Sequence, residues 1–289
     1  MKSSRGFSLV ELILVIVILG VLASVITVFV RPAAESFIAQ RQRSELQSAA
    51  QAALHAMNRD VRLALPNSIR TPNAQCFELV PTIGGGRYRT AADTVHDASP
   101  ACSSSETCSA ALDTSTSTER FDVLGPLSGQ AAVGDHVVVG NQNGDEVYAG
   151  SNRSVIGALS NPAANLGSLR ISIAPRQFPL GYSGGRFAVV PAGEQAVFYA
   201  CSGVGLDGQG NGSGQLLRYR SYGFRAAYPA DCSSPGGVSE VLATRVEACN
   251  FEYSSNALTE QGLMSLRLQL RRADEAVSLQ VHSMVSNIP

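Results

Sequence analysis

Residues Phe7 to Val30 form an almost unbroken apolar run, and no other feature constrains this chain as strongly. Nineteen of the 24 are Phe, Leu, Ile, Val or Ala, and Glu11 is the only charge. As a helix the run spans about 36 Å at roughly 1.5 Å per residue, enough to cross a bilayer. Lys2 and Arg5 precede it and no acidic residue does. The positive-inside rule therefore keeps the N-terminus in the cytoplasm and exports the remainder. A secretory signal peptide has an apolar region of about 7–15 residues, and this run is longer. A plain uncleaved anchor explains the length but not Glu11. A carboxylate at the centre of a membrane helix costs about 2.5–3.5 kcal/mol on insertion scales and calls for a partner. A cut between Gly6 and Phe7 supplies one. It leaves Phe7 with an α-amino group four residues before Glu11. In a packed helical fibre, the amine of one copy neutralises Glu11 of the next.

The segment Arg5-Gly6-Phe7-Ser8-Leu9-Val10-Glu11-Leu12, followed by the apolar helix, resembles the prepilin N-terminal motif of type IV pilins and type II secretion pseudopilins. The resemblance implies that Gly6 ends a leader cut by a prepilin peptidase. It implies that Phe7 is N-methylated and that Glu11 is the assembly glutamate. The implied partners are other pilins and minor pilins, the prepilin peptidase, the inner-membrane assembly machinery and the lipid bilayer. The implied location is the inner membrane, single-pass with the head in the periplasm, and then the fibre or its tip. Looser similarities to minor pilins of pilus biogenesis lie at 64–70, 198–201, 247–253 and 286–289. A minor pseudopilin of type II secretion (the one called J) and a pilus-tip adhesin are the alternatives. Gly-rich loops at 204–214 and 233–237 would carry an adhesin's contacts.

Beyond Arg31-Pro32 a period of three and four continues through Phe37, Ile38, Leu46, Ala50, Ala53, Leu54, Met57, Val61 and Leu65. Pro66 follows, and helices usually stop before Pro. The spacing predicts one helix over 7–65, kinked at Pro32. From Pro66 the period becomes two. Strands are predicted at 121–124, 135–141, 169–174, 186–190, 196–201, 216–224, 241–253, 263–271 and 276–285. Arg272-Ala273-Asp274-Glu275 joins the last two as a hairpin, and Asn143-Gly144 marks another hairpin turn. The stretch from Arg89 to Arg120 reads as a surface excursion. The expected class is α+β: a long apolar spine helix packed on a mainly antiparallel head. The expected divisions are a leader at 1–6, a membrane span at 7–30, a spine at 31–65 and a head at 66–289.

Six cysteines, Cys76, Cys102, Cys108, Cys201, Cys232 and Cys249, all lie on the exported side. An even count in an oxidising compartment favours disulfides. Sequence leaves all of about 15 pairings open. Ease of closure suggests Cys102–Cys108, with Cys201–Cys232 and Cys76–Cys249 completing the set. No C-x2-C pair points to zinc.

A net charge of −1 gives no footprint for nucleic acid. Lys2 is the sole lysine, so a chain cut after Gly6 carries its only amine on Phe7. Gly181-Tyr182-Ser183-Gly184-Gly185 fits G-x-S-x-G, but a strand follows where a nucleophile elbow needs a helix. His96, Asp135 and His136 lack a triad context. Gly203-Val204-Gly205-Leu206-Asp207-Gly208 fits G-x-G-x-x-G without a helix to hold a phosphate. Asp207 and Asn211 alternate as in a calcium loop, yet Arg218 stands where the bidentate Glu belongs, so they make only a weak calcium candidate. His55 and His282 complete a scattered set of four. The sequence thus predicts no enzyme, no cofactor and no metal.

Overall fold

The computed structural model describes residues 7–180, 184–256 and 261–288. Helix α1 (Leu9–Val25) passes through one π-helical segment (Ile26–Val30) into α2 (Arg31–Arg62). The π segment lies just before Pro32, where the kink was expected. Proline has no N–H to return to the preceding turn. One wider turn absorbs the loss, with Arg31 N–H donating to Ile26 O five residues back. The helix ends at Arg62 rather than at residue 65. Leu63 O accepts Thr82 N–H at 2.9 Å and Leu65 N–H donates to Val80 O at 2.8 Å, so this stretch pairs with the chain that follows β2.

Among the described residues, thirteen strands follow. β1 (Arg70–Asn73), β2 (Cys76–Leu79), β3 (Gly84–Tyr88), β4 (Thr118–Gly129), β5 (His136–Val139), β6 (Arg153–Ser160) and β7 (Leu169–Arg176) come first. β8 (Arg186–Val190), β9 (Val197–Ser202), β10 (Gly214–Arg220), β11 (Val238–Asn256), β12 (Gln261–Arg272) and β13 (Glu275–Ser286) complete the set. They make the expected antiparallel head, as two bodies. A seven-stranded sheet runs β1-β2-β9-β10-β11-β12-β13, and a closed barrel runs β3-β4-β7-β6-β5-β8. The barrel is an insertion between β2 and β9, two neighbours of the open sheet. Two helices of four residues, α3 (Thr94–Asp97) and α4 (Glu146–Ala149), are the only others among the described residues.

α2 packs across one face of the open sheet. Its stripe of Leu46, Ala50, Ala53, Leu54, Met57 and Val61 meets Phe77, Tyr199, Phe251, Leu266 and Leu268 in one core. Phe77 stacks on Tyr199 at 4.8 Å between ring centres. The last turn of α2 is pinned by charge. Asp60 Oδ2 accepts Tyr199 Oη at 2.7 Å and Arg218 Nη2 at 2.9 Å. The barrel is filled by its own side chains, among them Phe121, Val137, Ile156, Ile171 and Phe187. A third cluster around Val80, Val138, Tyr148 and Val190 joins the two bodies.

Some local expectations hold and others change. The β12–β13 hairpin turns at Ala273-Asp274 in an unbroken register. Asn143-Gly144 is no two-residue turn: β5 and β6 pair antiparallel, but α4 lies in their connection. The 89–120 excursion is pinned from within, because buried Arg170 reaches the carbonyls of Glu106 and Cys108 at 2.6 Å each. All six cysteines are bridged: Cys102–Cys108, Cys76–Cys232 and Cys201–Cys249. The expected local bridge forms, and the two long ones exchange partners. β2, β9 and β10 are neighbours in the sheet, so Cys76 meets the loop after β10. Cys201 on β9 meets Cys249 on β11 beyond the start of β10, where both strands bond to the β1–β2 turn through Gln75 O and Ala74 O.

Candidate functional site: the N-terminal segment

α1 begins at an N-cap. Ser8 is extended (φ −82°, ψ 150°), and its Oγ accepts Glu11 N–H at 3.2 Å. Ser8-x-x-Glu11 has the spacing of a capping box, in which the Glu would reach back to the cap N–H. Among the described residues Glu11 does not make that return bond. Its carboxylate stays open in the first helical turn, where the positive end of the helix dipole favours it. Ser8 was not singled out from the sequence, although S-x-x-E before an apolar run was the available signal.

No residue of α1 or of the π segment is buried by this chain. Phe7 is 71% exposed, and apolar side chains point outward all round the helix. A helix apolar on every side needs lipid or other helices to cover it. The stretch Leu9–Arg62 is long and apolar enough to cross a membrane. Gly6 lies outside the described residues. The structure thus presents Phe7 and the Glu11 carboxylate at the exposed end of a bare apolar rod, with the head held away by α2.

The other candidates do not assemble into sites. Asp207 Oδ1 accepts the N–H groups of Gln209 and Asn211 at 2.8 Å each, so backbone donors occupy it. Gly212 serves a close crossing: a Cβ there would stand 2.1 Å from Arg245 O. Arg218 is turned away into the Asp60–Glu194 network. The Gly203–Gly208 loop leads into strand β10. Gly181, Tyr182 and Ser183 lie outside the described residues, and β8 begins at Arg186 after Gly184 and Gly185. His96 Nε2 lies 2.8 Å from Thr107 O, and its Nδ1 lies 3.0 Å from Asn165 Nδ2. Asp135 caps Ala132 and Ala192 N–H groups. His136 packs edge-on against Phe224, and burial with nearby Arg153 pushes its pKa down. Asp97 lies near Cys102 and Cys108, but disulfide sulfurs are not thiolate ligands.

Residues 1–27 match the family described as "Prokaryotic N-terminal methylation motif". No curated protein and no solved structure matches the chain at a significant level. The matched segment carries Gly6, Phe7 and Glu11. It implies processing by a prepilin peptidase and assembly with other pilins, and with the apolar helix it fits a membrane-anchored chain of type IV pilin or pseudopilin type.

Proposed function

We propose that this chain is a minor pilin, similar to MshO, that takes part in building a type IV pilus. The observation that carries the reading is an open Glu11 carboxylate on a bare apolar helix, inside a matched methylation motif. Lys2 and Arg5 hold the leader in the cytoplasm. A prepilin peptidase cuts after Gly6 and methylates Phe7. The apolar helix then keeps the subunit in the inner membrane with its head in the periplasm. The assembly machinery moves the helix from lipid into a bundle of like helices. There the Phe7 amine of one subunit pairs with Glu11 of a neighbour, which lowers the cost of both buried charges. The head, with an open sheet and an added barrel, is bulky for a repeating shaft subunit. That bulk favours a priming or tip position.

The test is Glu11→Ala in cells that lack the native copy. The variant should still insert in the membrane and lose its leader, as seen by fractionation and N-terminal mass. It should be missing from sheared fibres, or the fibres should not form. Incorporation at the native level would overturn the mechanism.

A further inference from the structure

The open sheet has one closed edge and one open edge. β1 is four residues long and contains Pro72. The Cys76–Cys232 bridge fastens residues 225–235 as an arch over the side of the sheet turned away from α2. From that arch Tyr228 Oη accepts Thr71 N–H at 2.9 Å, and Arg225 O accepts Arg70 Nη1 at 3.1 Å. A short strand, a proline and a covering loop are the usual protections of a sheet edge.

β13 has none of these. From Ala276 to Ser286 it includes no Pro, Gly, Lys, Arg, Asp or Glu. Its pairing with β12 runs from Arg272–Glu275 to Gln261–Ser286 without a bulge. Only Ala273 and Asp274 lie in the connection, so Arg272 and Glu275 exchange both hydrogen bonds, and every second residue of β13 repeats that pattern. Ala276, Ser278, Gln280, His282, Met284 and Ser286 therefore turn their N–H and C=O groups outward. Among the described residues no hydrogen bond from outside the sheet reaches those groups. Ser278, Gln280, His282, Met284 and Ser286 are all exposed.

We propose that β13 is a docking edge for an extended, uncharged strand of a different subunit, added beside the seven strands of the sheet. Main-chain bonds would give the affinity and alternate side chains the selectivity. A second copy of this chain does not fit. Glu45 of α2 meets Arg272, beside the start of β13, at 3.2 Å. Asn67, just past α2, donates to Asn287 O, just past β13, at 3.1 Å. α2 thus runs alongside β13 in the same direction. Antiparallel pairing of two β13 strands would point their apolar helices opposite ways, and one membrane cannot take both. Parallel pairing about a two-fold axis along the strands would set each outward N–H level with its own copy, donor against donor. The partner's neutrality follows from the edge, where no acid, Arg or Lys would answer a charged strand. The edge is open whether or not the chain builds a pilus, and its test involves no fibre.

The experiment is hydrogen-exchange mass spectrometry on the full-length chain in nanodiscs. The probes are a fluorescent Thr-Val-Thr-Val-Gln-Val-Thr-Val-Thr peptide, the same peptide N-methylated at every second residue, and a version with Glu at each Thr. The plain peptide should bind, by anisotropy, and slow exchange over 276–286 but not over 70–73. The methylated peptide should not bind, and the Glu version should bind several-fold more weakly. Gln280→Pro removes one outward N–H and leaves the β12 ladder intact, so it should weaken binding about tenfold or more. If Gln280→Pro loses its near-ultraviolet circular dichroism, Gln280→Lys with His282→Lys takes its place, with a several-fold loss expected. No binding, equal binding of the methylated or Glu peptide, protection at 70–73 instead, or full binding by the folded variants overturns the proposal. Native mass spectrometry should find the chain monomeric; a dimer that Gln280→Pro abolishes would give the edge to a second copy and overturn it too.

Discussion

Asp122 is fully buried; its carboxylate receives Arg170 Nε at 2.7 Å and Ala110 N–H at 2.8 Å. Its partner holds the 89–120 excursion by three carbonyls, at Ser105, Glu106 and Cys108. Removing the acid strands a buried guanidinium, so Asp122→Ala should cost about 3–5 kcal/mol in urea unfolding. A loss below about 1 kcal/mol would show the pair to be dispensable. Glu78 acts the other way. Burial raises its folded pKa, so the native state holds the proton more tightly than the unfolded chain. Its contribution to stability is therefore greatest at low pH. It is lost as pH rises from the ordinary carboxylate value through the raised one. The melting temperature of the wild type minus that of Glu78→Gln should fall over that window, and a flat difference would refute the assignment. Glu11 stands out in the sequence, because a charge inside an apolar run has few explanations. Glu78 does not, because nothing local marks a strand glutamate as buried.

Strand elements were legible where they are long and alternate cleanly, as in β12 and β13. Four were missed: β1, β2, β3 and β6. β1 contains Pro72, and β3 begins Gly84-Gly85-Gly86, residues that weaken a strand reading. The glycines answer a close approach instead: a Cβ on Gly85 would sit 2.6 Å from Phe187 O of β8. Such strands exist because neighbours pair with them. The same ladder reassigns the cysteines, since closure distance along the chain says nothing about which strands become adjacent. Non-reducing peptide mapping should recover Cys76–Cys232, Cys102–Cys108 and Cys201–Cys249; a Cys201–Cys232 fragment would contradict the sheet order. The bridges span separations of 156, 6 and 48 residues respectively. By loop entropy alone they contribute about 5, 2 and 4 kcal/mol. Paired Cys→Ser changes should lower the denaturant midpoint most for Cys76–Cys232, less for Cys201–Cys249 and least for Cys102–Cys108.

At the scale of the whole molecule, one continuous helical stretch serves two solvents. Its first half is bare on every side. Its second half supplies Leu46, Leu54, Met57 and Val61 to the head core. Deleting residues 1–40 should therefore release a soluble, cooperatively melting head. Deleting 1–62 should remove one wall of that core and leave an aggregating chain. Gel filtration and thermal melting read both outcomes, and a stable head without α2 would refute the packing. The barrel keeps its own core, so its strands should stay protected in hydrogen exchange while β1 and the 225–237 arch open sooner.

The sequence by itself determined the two ends of the argument: an apolar rod carrying one acid, and a period of two beyond Pro66. Both are local, since composition and spacing alone decide whether a segment suits lipid, a helix face or a pleated strand. The tertiary structure decided that β3 to β8 close on themselves as a barrel between two neighbours of the open sheet. It also decided which cysteines meet, and that Glu78 lies buried beside Arg70 under a fastened arch. Those outcomes depend on which distant strands share a ladder, and pairing energy between segments far apart in sequence leaves no trace in either segment alone.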